Sequence, residues 1–277
     1  MQAMFGRLLS ECRLPMFGTT GADGKTIDLK ETFNPSPKIL WVVVKVPIFS
    51  LNTFSVINSI LMESFWLAHL TTWASLISTV YLITSFLSLV LVPIEAGTKT
   101  VSSSSKLTWG LFACSINLQM FVTILIFDSS TNLLYRRAIY EQGILFFLVA
   151  LDGFVIHRFP IRFKHIVWVY LVDISYLMWT GFHAASYIGN PSTSDTDPAT
   201  DDDSLYSSLN WDEKPKDSAI LAAILLCGGV PIMFLFIWSI SVCIPKHYDA
   251  LEEPKREIAL KEEAAKEKEA EKEQAIV

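Results

Sequence analysis

Along this chain, apolar residues fall into long blocks, without the short alternations of a soluble domain. Apolar runs cover about 66–92, 107–127, 140–157, 164–189 and 218–244. Each approaches or exceeds the roughly 20 residues that carry a helix across a hydrocarbon core about 30 Å thick, at about 1.5 Å of rise per residue. A sixth run, KILWVVVKVPIFSLNTFSVINSILM at 38–62, is interrupted by Lys45 and Pro47. Proline removes a backbone hydrogen bond and kinks a helix. Lys45, close to one end of the run, is expected to snorkel toward the headgroups. The pattern predicts an all-α, polytopic membrane helical bundle of about six transmembrane helices. Residues 1–37 form an N-terminal arm, 38–245 the transmembrane domain and 246–277 a charged tail.

Charge orients the bundle. With both termini cytosolic, the inside segments carry Arg7, Arg13, Lys25, Lys30 and Lys38 in the arm, and Lys99 and Lys106 in one loop. A second inside loop carries Arg158, Arg162 and Lys164, and the tail carries seven more basic residues. Only Arg136, Arg137, Lys214 and Lys216 fall outside, as the positive-inside rule requires. Without the arm and tail, the loops are almost balanced. The acidic stretch TSDTDPATDDDS fits the outer face.

Composition agrees with this picture. Of 277 residues, 51% are hydrophobic and 18% charged, below the roughly 25% charged of soluble domains. The cysteines, Cys12, Cys114, Cys227 and Cys243, show no CxxC or Cys/His ligand spacing. They read as reduced packing residues, with no metal site. The first 37 residues lack the apolar core of a cleaved signal peptide. No Gly-rich phosphate loop implies a cofactor, and the tail KEEAAKEKEAEKE alternates its charges, so nucleic acid is not an expected partner. The partner implied is the lipid bilayer, with a lipid as candidate ligand. The organelle is left open.

Two acids break the apolar stretch 148–179. Asp152 is about 7 Å from the inner end of its helix and Asp173 about 14 Å, by helical rise. A charged Asp at a helix centre costs about 2.5–3.5 kcal/mol on the insertion scale. Both should therefore face the bundle interior, protonated, paired or hydrogen-bonded. The short turn HRFPIRFK makes their helices antiparallel neighbours and lets Arg158 and Arg162 reach back toward Asp152. A polar clamp between helices is the plain reading; proton or ion transport and a polar pocket floor are the others. A second polar group gathers at the outer end: His69, Thr71, Thr72, Gln142 and His183. A threonine hydroxyl beside a histidine has the makings of a nucleophile on a lipid ester. Ordinary backbone hydrogen bonding explains the same residues. Asn117 and Gln119 are expected to link helices.

These segments resemble a known family. HLTTWASLISTVYLI, ILFFLVALDGFVIHRFPIRFKHIVW, SYLMWTGFHAASYIGN and LYSSLNW follow the order and spacing of segments in rolling stone-like membrane proteins, over roughly 65–245. That resemblance implies six spans and a role in interaction, trafficking or lipid binding. A more distant similarity is to the androgen-induced membrane hydrolases, which cleave fatty-acid esters with a threonine and a histidine. It implies Thr71 as nucleophile and matches their intramembrane acid with Asp152. Their histidine falls at or beside Gln142, where this chain has none, and His183 or His69 would have to replace it.

Overall fold

The computed structural model describes residues 14–20, 26–62, 69–91, 100–128, 143–186 and 209–244. Gln142, Cys12, the tail 246–277, residues 1–13 and 21–25 of the arm and the acidic stretch 190–208 lie outside the described residues.

Helix α1, Leu29–Phe33, starts where Asp28 Oδ1 accepts from the Lys30 and Glu31 amides at 2.8 and 3.2 Å. This relieves the unpaired donors of a first turn. α2, Lys38–Met62, runs through Pro47. α3 is Leu70–Leu91 and α4 is Ser103–Asp128, whose start is capped by Ser102 Oγ on the Ser105 amide. α5, Ile144–Ala150, widens into a π-helix over Leu151–Ile156. A 3-10 turn, Phe163–His165, leads into α6, Ile166–Ala185. α7, Pro215–Ile224, passes through a second π-turn, Leu225–Gly229, into α8, Val230–Cys243. Apart from isolated bridging near Thr20 and Thr26, no strand occurs among the described residues.

Four helical stretches are long and apolar enough to cross a membrane: Leu29–Phe54, Leu70–Leu91, Ser103–Ile124 and Pro215–Cys243. α6 and the described α5 segment, Ile144–Ile156, are apolar but outside that set. Outward-facing Ile39, Phe54, Leu61, Phe147, Met178 and Ile232 give the bundle a greasy exterior. Such a surface suits lipid, where helices bury their polar groups against one another.

α4 is the pillar, packed on α3, α5, α6 and α8. Its Phe112, Ile116 and Gln119 are fully enclosed. α3 meets it with a face of small residues, Ala74, Ser78 and Ser88, which let two helices approach closely. α5 and α6 each lean on α4. The short connection between them therefore does not make the two helices each other's main neighbour. The π-helix lets that connection fold inward. His157 N–H donates to the Asp152 carbonyl at 3.0 Å, five residues back, and Arg158 adopts a φ of 52°. At Gly153 a Cβ would stand 1.9 Å from the Phe112 ring, so only glycine lets α5 approach α4 here. The connection itself is core: Phe159 and Ile161 are buried, and Pro160 O accepts from Trp109 Nε1 at 2.6 Å.

Candidate functional site

At one end of the bundle, α2, α3 and the α5 π-helix bring together five polar side chains. Lys45 comes from α2, Tyr81 and Ser85 from α3, and Asp152 and His157 from the end of α5. Lys45 is 3% exposed, while Asp152 and His157 are wholly enclosed.

The five side chains partner one another. Lys45 Nζ stands 2.8 Å from Asp152 Oδ1 and 2.6 Å from His157 Nε2, and it also donates to Ser85 Oγ. Three acceptors match the three protons of an ammonium. Asp152 Oδ2 accepts from the Tyr81 hydroxyl at 2.6 Å and from Ser85 at 2.7 Å. Ser85 has one proton and gives it to Asp152. Its 3.0 Å approach to His157 Nε2 is therefore a contact between two acceptors of the same ammonium. With Nε2 accepting, the proton of His157 is on Nδ1, which lies 2.5 Å from the Thr32 carbonyl of α1. The imidazole is neutral in this arrangement and stacks on Phe159, with centroids 4.9 Å apart. A buried ion pair offsets its desolvation only when further partners surround it, and Tyr81, Ser85 and His157 supply them.

Two expectations change here. Lys45 does not snorkel; it turns inward to Asp152. Neither arginine of the connection pairs with Asp152. Arg162 donates instead to the carbonyls of Gly18 and Thr20 at 3.2 and 3.0 Å, fastening residues 14–20 beneath the bundle. The partner was legible in principle. Lys45 follows Lys38 by seven residues, about 10 Å of helical rise, close to the depth read for Asp152. Matching opposite charges by depth across all spans, and not only along the nearest turn, would have found it. Tyr81, Ser85 and His157 carried no such signal.

The other predicted residues occupy different places. Asp173 is half-buried on α6 and lines a crevice with Asn117, away from the Lys45 cluster. Gln119 Nε2 donates to Ser78 Oγ at 3.0 Å and does link α4 to α3. Asn117 Nδ2 turns back to its own helix, on Ala113 O at 2.8 Å. Thr71 and Thr72 open α3, and His69 immediately precedes it. Their neighbours Leu70 and Ala74 pack with Tyr176 and Trp179 of α6, one turn short of His183. Thr71 and His183 are thus gathered at the same end of the bundle, opposite to Lys45. His183 is buried against Trp179, with centroids 6.1 Å apart. Among the described residues, no group of three or more His, Cys, Asp or Glu could hold a metal ion.

The chain matches no protein-family model, no curated protein and no solved structure.

Proposed function

We propose that the chain is a six-span integral membrane protein of rolling stone-like type, with both ends in the cytosol. Its role in this reading is interaction, trafficking or lipid binding, and not catalysis. One observation carries it: the most reactive set of side chains, Lys45, Asp152 and His157, is sealed and mutually satisfied. A catalytic lysine or histidine needs a substrate within hydrogen-bond reach; these groups are held by one another, by Tyr81 and Ser85 and by the Thr32 carbonyl. They act as a clamp among α2, α3 and α5. Asp152 and Asp173 also sit in separate surroundings, which gives no support to a transport path through both.

A second reading is a threonine esterase of membrane lipids, favoured by the gathering of Thr71 and His183 at one end. There the Thr71 hydroxyl would attack an ester carbonyl while His183 or His69 took its proton. Membranes expressing the chain are treated with a fluorophosphonate probe, and the labelled residue is mapped. We expect no labelling at Thr71. Labelling there that disappears in Thr71→Val would overturn the non-catalytic reading.

A further inference from the structure

The crevice around Asp173 lies between α4, α6 and α8 and has a volume of about 10 Å3, room for a single water-sized group. Its walls are Leu118 and Phe121 of α4 and Val230 and Met233 of α8. Two polar side chains line it. Asn117 is 2% exposed, and its Oδ1 has no hydrogen-bond partner among the described residues. Asp173 meets no cation and no hydrogen-bond donor among the described residues. An enclosed acceptor without a donor costs about 1–3 kcal/mol, so Asn117 Oδ1, with the half-buried Asp173 carboxylate lining the same crevice, calls for a donor.

Four properties define that ligand. It donates hydrogen bonds, because both Asp173 and Asn117 Oδ1 can accept. Its polar tip is one heavy atom wide, because the crevice admits no more. Its body is apolar, because the walls are. It arrives from the bilayer, because Asp173 lies well inside the 20-residue α6, flanked by outward-facing Leu171, Ile174 and Met178. We propose that Asp173 and Asn117 form a binding site for the hydroxyl group of a membrane lipid, whose hydrocarbon body lies along the α6 surface. The site rests on the membrane reading above and gives its lipid-binding branch a chemical class.

The test uses the full chain in native membranes. Two photoreactive probes are compared, a long-chain alcohol carrying a diazirine and its methyl ether, which lacks the donor. We expect the alcohol to label peptides from α4, α6 or α8 several-fold more than the ether. That excess should be lost in Asp173→Leu and reduced in Asn117→Leu. Asp173→Asn, which keeps an acceptor oxygen, should retain it. Equal labelling by the two probes, as for a crevice that takes only water or a small cation, would overturn the site. So would an excess that survives in Asp173→Leu. Carbonate extraction of the same samples separates the two failures: release of the chain refutes the membrane reading, while loss of selectivity in a retained chain refutes only the site.

Discussion

Lys45 and Asp152 depend on each other more than either supports the fold alone. Removing one partner of a buried pair costs about 3–5 kcal/mol, because the survivor stays buried with its charge unmatched. Replacing both by apolar residues of similar size is often neutral. Lys45→Met and Asp152→Leu should therefore each lower the thermal stability of the detergent-purified chain sharply. The double substitution should recover most of the loss. A double variant as unstable as the sum of the singles would mean that Tyr81, Ser85 and His157 need the charges, so that the knot is more than a pairwise clamp. The acids were legible as residues out of place in an apolar stretch. The partner of Asp152 was legible only by matching charges in depth across all spans, because Lys45 and Asp152 are more than a hundred residues apart in the chain. Arg158 and Arg162 are nearer to Asp152 in sequence, yet neither pairs with it among the described residues.

Among the helices, the π-turn that ends α5 decides where Asp152 and His157 point. Its geometry relies on Gly153, whose missing side chain admits the buried Phe112 ring, itself packed edge-on against Phe154 at 5.0 Å. Gly153→Ala should cost about 1–3 kcal/mol, the usual range for overpacking a close-packed core. Phe112→Leu should recover part of it by vacating the space. Thermal unfolding of the two single variants and the double checks this, and additive losses would show that the two positions do not press on each other. The sequence predicted a helix here from its run of apolar residues. It did not predict the wide turn, since hydropathy is blind to one extra residue in a turn. Nor did it predict that Pro47 would be accommodated within an unbroken α2.

For the whole molecule, an all-helical bundle was readable from block length alone, because few structures satisfy every backbone group in lipid. The number of crossings was less readable. Four stretches meet the length and hydropathy of a span. α6 carries Asp173 and His183 and so sits at the margin, and the region before Ile144 lies outside the described residues. Single cysteines introduced at the exposed positions 20, 164 and 212 and treated with an impermeant maleimide on sealed, right-side-out vesicles count the crossings. Six spans with cytosolic ends predict labelling at 212 on intact vesicles, and at 20 and 164 only after permeabilisation. Labelling of 164 from outside would leave the six-span arrangement untenable. The outer-end group was legible as a list of residue types. Whether those types cooperate depends on side-chain approach, which spacing along the chain does not encode.

The bond from His157 to the carbonyl of Thr32 reaches beyond the bundle. Thr32 lies in α1, just ahead of the first long helix, so the arm is moored to the imidazole that holds Lys45. A pull on the arm would draw Thr32 from Nδ1, tilt the ring and loosen the ammonium from Asp152. Whatever grips this arm therefore also has a hold on the charge pair at that end of the bundle.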